Sequence, residues 1–179
     1  MATTLRGLGV SPGLAAAPVL AVGTPPPLPE PVPVVDVDAE TARGLAALAS
    51  VSAELGRRAS TARDTTAAEI LSAQAMMADD PVLHSAIVDG VRAGTDAPHA
   101  IADALAVHKA AFEAAGGYLA ERAADLDDLR DRAVAAYLGL PMPGIPTPGH
   151  PFVLIAKDLA PADTASLDPT EVVALVTES

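Results

Sequence analysis

The sequence predicts an α+β fold, a four-helix-type bundle inserted into a small α/β domain. Three observations carry this expectation. The segment 38–138 shows helical apolar spacing almost throughout. Short β-like runs lie at both ends of the chain. Two proline-rich stretches separate these regions, as crossings between domains would.

Each element has its own justification. LRGLGV (5–10) and APVLAVG (17–23) read as strands flanking a turn at SPG. TPPPLPEPVPVV (24–35) carries six prolines and GLPMPGIPTPGHP (139–151) carries five. Each proline fixes φ and removes a donor, so both stretches are expected to be extended crossings. A first helix, capped by Asp38, should run to about Arg63 with Leu45, Leu48, Val51 and Leu55 at three- and four-residue spacing. TTAAE then supplies a capping box, Thr66 with Glu69, for a helix holding Ile70, Leu71, Ala73, Met76 and Met77.

That helix is interrupted at ADDP. Asp80 suits an N-cap with Pro81 at the first helical position, and a short helix over 81–92 carries Leu83, Ile87 and Val91. Asp96 caps a helix with Ile101, Leu105 and Phe112, stopped by Gly116-Gly117. YLAERAADLDDLRDRAVAAYLG reads as one regular helix. Leu119, Ala123, Leu126, Leu129 or Arg130, Ala133 and Tyr137 form its stripe. Arg122/Asp125, Asp127/Arg130 and Asp128/Arg132 sit within salt-bridge reach. FVLIA (152–156) and VVALVT (172–177) read as strands. Between them KDLAPADTASLDP holds an expected short helix capped by Asp158 or Asp163. The predicted organisation is 1–23 with 152–179 as the α/β part, 36–138 as the helical part, and 24–35 and 139–151 as crossings.

Composition narrows the function. Half the chain is hydrophobic, but Phe112, Tyr118, Tyr137 and Phe152 are its only aromatics, which points to close-packed helices. The formal charge of −12 argues against nucleic acid, which needs Lys/Arg to displace counterions. An acidic surface suits a basic protein partner. There is no cysteine, so no disulfide framework or thiolate metal site is expected. No apolar run reaches membrane-span length, and MATTLRGLGV does not resemble a signal peptide, so a soluble, cytoplasmic protein without membrane contact is expected.

Residue chemistry alone identifies no catalytic centre. His84, His99, His108 and His150 form no HxxxH or HExxH pair and read as unrelated surface histidines rather than a zinc site. GLGVSPG matches neither a P-loop nor GxGxxG. What remains is a surface. Met76 and Met77 are adjacent on a helix and cannot face the core equally. They precede Asp79 and Asp80 at the broken joint, with Leu83 beyond. An apolar patch rimmed by carboxylates would dock a partner with an apolar centre and basic rim. On the residues alone, gap-filling methionines and purely capping aspartates are equally good readings.

Four stretches in order resemble one family. GLGVSPGLAAAPV, EILSAQAMMADDPVL, YLAERAADLDDLRDRA and LIAKDLAPADTASLDPTEVVALVTES are similar to Enzyme I of the bacterial sugar phosphotransferase system, the phosphoenolpyruvate–protein phosphotransferases. The resemblance implies a helical HPr-binding domain inserted into a phosphohistidine swivelling domain. It implies a partner, the phosphocarrier HPr, and a C-terminal phosphoenolpyruvate-binding barrel that uses magnesium and dimerises in the whole enzyme. In the family, the strand matching VVALVTES runs into a GG-x-TSH motif whose histidine accepts phosphate. That motif is not in this sequence. The chain is therefore expected to be an N-terminal fragment with an incomplete α/β part. It would have no catalytic residue or cofactor of its own and be inactive alone, from a parent that phosphorylates HPr for sugar uptake.

Carried over by position, the HPr contacts would be Glu69, Met76, Met77, Asp80, Leu83 and Arg122, and Thr164 would lie beside the missing histidine. Ser72-Ala73-Gln74 stand where the family often has Glu-Gly-His, and Val82 where a carboxylate is common, so the acidic rim is thinner. Two other readings compete. One is a helical interaction module without phosphotransfer. The other is an Enzyme I-like domain of a dihydroxyacetone kinase subunit.

Overall fold

The computed structural model describes residues 7–62, 64–157, 159 and 167–178. The chain divides into two compact units, 24–143 and a second made of 1–23 with 144–179.

The larger unit is helical. α1 spans Val37–Thr61 and is capped by Asp36, whose side chain accepts from the Ala39 amide at 3.0 Å. Asp38, the expected cap, lies two residues further on, inside the first turn. Asp36 is the residue in extended conformation, and Asp38 instead places its charge near the positive end of the helix. α2 spans Thr65–Ala78. Its cap is Asp64 rather than Thr66. Asp64 stands first in the chain, shortly after the extended Ala62, and its carboxylate reaches the Ala67 amide at 2.9 Å. α3, Pro81–Arg92, is capped by Asp80 with Pro81 in its first turn, as the sequence predicts.

α4 spans Ala97–Ala115 and ends at Gly116, whose φ of 70° is a conformation that L side chains rarely adopt. The final helix is not continuous. α5, Gly117–Glu121, and α6, Ala123–Tyr137, are separated at Arg122. There the amide of Arg122 bonds to the carbonyl of Leu119, a tighter turn than the α-helix makes. The expected stripe therefore loses Leu119, which is 42% exposed, while Ala123, Leu126, Leu129 and Ala133 are buried.

Leu48, Val51 and Leu55 of α1 pack with Leu83, Ile87 and Val91 of α3, Ile101 and Leu105 of α4, and Leu126 and Leu129 of α6. Burying each Leu or Ile contributes about 1.5–3 kcal/mol relative to exposure. Small residues allow close approach. A Cβ on Gly44 would meet the Ala97 Cβ at 3.0 Å, so α1 and α4 come together where both side chains are minimal.

The proline stretch 24–35 lies in the helical unit. The Val32 amide donates to Asp96 Oδ2 at 2.6 Å. Asp96 is buried, and its Oδ1 accepts from the His99 amide and ring. Burial alone would raise its pKa. The Val32 amide and the two His99 donors outweigh that, and its pKa falls below the ordinary carboxylate value.

The smaller unit holds a parallel sheet of β1 (Val19–Ala21), β2 (Phe152–Ala156) and β3 (Val172–Thr177) in the order β1-β2-β3. Val19 pairs with Val153, and Val153 with Ala174. Phe152, Leu154 and Ala156 of the central strand are buried. β1 is shorter than the run 17–23, and residues 7–10 form no strand; Leu5 and Arg6 lie outside the described residues. Gly7 and Gly9 offer no side chains to pack, and Leu8 and Val10 stay exposed, so this run lacks a buried face to fix it. The expected short helix between β2 and β3 falls largely outside the described residues.

Replacing Asp96 by Ala should lower the stability of the helical unit by about 1–3 kcal/mol, measured by urea unfolding. Because the folded carboxyl titrates below its ordinary value, this contribution is present above about pH 4 and fades as pH falls further. The wild-type and Asp96→Ala midpoints should therefore converge in acid.

Candidate functional site

The joint between α2 and α3 is built by Asp79, Asp80, Pro81 and His84. Pro81 has no amide proton to extend α2, and Asp80 is extended, with its carboxylate on the Val82 amide at 2.7 Å. Asp79 Oδ2 accepts the Ser52 hydroxyl at 2.6 Å, which ties the joint to α1. His84 Nε2 lies 2.8 Å from the Ala78 carbonyl and braces the joint from the far side.

The two methionines take different roles. Met76 is 68% exposed, whereas Met77 is half-buried against the core. Glu69, Ser72, Ala73 and Met76 follow helical spacing and share one outer stripe of α2. Val82, at the start of α3, is 66% exposed beyond the joint. Leu83 does not belong to this surface. It is 1% exposed and part of the core. In a continuous helix residues 76 and 83 would share a face, and the break removes that relation. Of the resemblance-implied contacts, Glu69 and Met76 are thus exposed, Asp80 and Met77 are half-buried, and Leu83 is internal.

Arg122 is brought to α2 by a chain of side chains that the sequence reading did not find. Its Nε donates to the Tyr118 hydroxyl at 3.1 Å and its Nη1 to Asp125 Oδ2 at 3.2 Å. Asp125 Oδ1 accepts from Gln74 Nε2 of α2, again at 3.2 Å. The Tyr118 hydroxyl bond, with Asp125, holds the Arg122 guanidinium more firmly protonated than usual. A buried glutamine on an otherwise apolar flank of α2 was the available signal. Gln74 needs a partner, and the carboxylates of the last helix were the nearest supply.

The remaining ion pairs support helices. The expected Arg122/Asp125, Asp127/Arg130 and Asp128/Arg132 pairs all form. Glu54 holds Arg57 and Arg58. Its burial would raise its pKa, but the two guanidinium groups lower it. The histidines are less superficial than expected. His84, His99 and His108 are half-buried, with rings on Ala78 O, Asp96 and Ala104 O, and only His150 is exposed. Among the described residues no three His, Cys, Asp or Glu side chains are arranged to hold a metal ion. No helix there is long and apolar enough to cross a membrane. Thr164, Asp158 and Asp163 lie outside the described residues.

A hollow of ≈ 280 Å³ opens between the 32–36 strap, the start of α1 and Tyr137. Its polar groups are committed internally. Glu40 Oε1 accepts from the Ala97 amide and the Tyr137 hydroxyl, and the Arg43 guanidinium lies 4.3 Å over the Tyr137 ring.

The sequence profile of the family of PEP-utilising enzymes, N-terminal part, matches residues 6–122. The chain belongs to this family. It is 48% identical over 180 residues to the phosphoenolpyruvate-protein phosphotransferase of Streptomyces coelicolor, covering 99% of this chain and 32% of that protein. It is 31% identical over 184 residues to the phosphoenolpyruvate-protein phosphotransferase of Enterococcus faecalis, with the same coverages of 99% and 32%. The chain thus spans about a third of the length of the curated relatives it matches. An NMR solution structure of Enzyme I (nEIt) superposes with a TM-score of 0.70 at 27% identity, over 93% of this chain and 70% of that one. The N-terminal domain of Enzyme 1 - Nitrogen shares the fold, with a TM-score of 0.66 at 24% identity over 94% and 71%. The helix-rich chain with a small parallel sheet is therefore the fold of family members.

The division between core and surface at the joint can be measured. Leu83→Ala should cost about 2–5 kcal/mol of stability, the range for emptying a core leucine site. Met76→Ala should cost less than about 0.5 kcal/mol. Chemical denaturation of both variants checks the contrast, and similar losses would mean that Met76 is a core residue.

Proposed function

We propose that the helical unit docks the phosphocarrier HPr, as the N-terminal part of a phosphoenolpyruvate-protein phosphotransferase serving sugar uptake in the cytoplasm. The observation that carries the reading is the outward Met76 on a family-matched helix, beside the broken joint. A flexible thioether in water has little folding purpose, and it gives adaptable contact area to an apolar patch on a partner. Glu69, Asp79 and Asp80 surround it with negative charge that would steer a basic rim. Met77 and Leu83 act from behind, by fixing the helices that present Met76.

In this reading the bundle is an insertion in the phosphohistidine swivelling domain. Phosphoryl transfer, magnesium and phosphoenolpyruvate belong to other parts of the longer enzyme. The chain supplies recognition, and its own histidines do not accept phosphate. A helical adaptor unrelated to phosphotransfer is the competing reading.

Titration of the labelled chain with HPr, followed by NMR, separates the two. Shift changes should cluster at Glu69, Met76, Asp80 and Val82. Met76→Ala and Asp80→Lys should each weaken binding by about fivefold or more. Absent binding, or binding indifferent to both substitutions, favours the adaptor.

A further inference from the structure

Gln74, with Asp96 and Arg132, is one of the buried polar or charged residues of the core among the described residues. A buried primary amide is costly unless its hydrogen-bonding groups are satisfied. Its Nε2 donates to Asp125 Oδ1, and only the amide nitrogen, not the amide oxygen, can face a carboxylate acceptor there. This bond crosses from α2 to α6. It orients Asp125 so that Oδ2 is left for Arg122 Nη1. Tyr118 takes Nε, and its ring centroid lies 5.1 Å from the guanidinium carbon.

Arg122 is thus gripped on two of its nitrogens, at the junction of α5 and α6. Its side chain is 21% exposed, and Nη2 has no hydrogen-bond partner among the described residues. A surface arginine ordinarily loses rotamer freedom when a partner engages it. Here that ordering has already been done by the fold.

We propose that Gln74 and Asp125 are positioning residues of the docking face. They fix the Arg122 guanidinium so that Nη2 donates to an acceptor, a main-chain carbonyl or a carboxylate, on the docked carrier. The proposal rests on the HPr-docking reading. It gives Arg122 a directional role that the steering carboxylates cannot supply, because a carboxylate only accepts. It also makes Gln74 act at a distance, through Asp125, without touching the partner.

A double-mutant cycle tests it, with calorimetric titration of HPr into the 179-residue chain. Gln74→Leu keeps the buried volume and removes the donor. It should weaken binding about fivefold, and Arg122→Ala at least as much. The double variant should bind no more weakly than Arg122→Ala alone, because Gln74 acts only through Arg122. Asp80→Lys combined with Gln74→Leu should multiply, since Asp80 lies beyond the end of α2 and shares no partner with Gln74. If Gln74→Leu proves unfolded at the titration temperature, Asp125→Asn replaces it in the cycle with the same expectation. Losses that multiply for Gln74 and Arg122 would overturn the positioning role and leave Gln74 a staple between α2 and α6. If the unaltered chain does not bind HPr, the docking reading and this proposal fall together. Binding with multiplying losses sinks only the proposal.

Discussion

Glu40 and Asp96 bring two desolvated carboxylates to one end of the helical unit, and the register of its helices depends on how they are satisfied. Ala97 and Tyr137 donate to Glu40, while Val32 and His99 donate to Asp96. These donors come from the proline strap, from α4 and from α6. Uncompensated, such charges would disfavour the folded state by several kcal/mol. The fold is therefore selected in the arrangement that delivers all the donors together. Burial and the bond to Glu40 push the Tyr137 hydroxyl up to about 12, so it remains a proton donor throughout the neutral range. With α1, α4 and α6 locked at this end, Gly44 and Ala97 can approach as closely as their small side chains allow.

Against that frame α2 buries fewer of its side chains than α3 does. Gln74 and Ala78 are its buried described residues, with Leu71, Ala75 and Met77 partly covered. α3 by contrast buries Leu83, Ile87 and Val91. Were the two helices continuous, Met76 and Leu83 would lie on one stripe and both would be drawn into the core or both left out. Asp80 and Pro81 break that equivalence. The joint allows one stretch of sequence to furnish core residues after it and, a turn before it, an exposed methionine. Ser52 and His84 keep the joint from straightening.

Most of the fold was legible because its signals are local. Asp80-Pro81, Asp96 and Gly116 announce helix ends by chemistry that acts within a few residues, and β2 and β3 are runs bounded by turn residues. The errors share a cause. Asp38 and Thr66 are sound caps, but Asp36 and Asp64 come earlier and act first. The break at Arg122 has no Gly or Pro to mark it. It follows from tertiary pressure to bury Ala123 and Leu126 while Arg122 reaches Tyr118 and Asp125. Of the contacts the resemblance implies, Glu69 and Met76 do lie exposed on α2. The sequence pattern could not separate Leu83 from them, since that depends on the angle at the joint. Nor could it pair Gln74 with Asp125 across 51 residues, which only packing brings together.

The charge of the surface and its contacts are distinct resources. Arg57, Arg58, Arg92, Arg130 and Arg132 are each matched by a carboxylate of their own helix, so the cations are largely consumed internally. The excess of acidic residues is what an approaching protein experiences, and it acts over about a Debye length. At the joint itself Asp79 and Asp80 already accept bonds from Ser52 and Val82, so their lone pairs are partly used while their charge is not. They can accelerate encounter without fixing orientation. Orientation must come from groups whose geometry is set and whose bonding capacity is unspent. In the docking proposed above, those groups are the Met76 side chain, by shape, and the held guanidinium of Arg122, by direction.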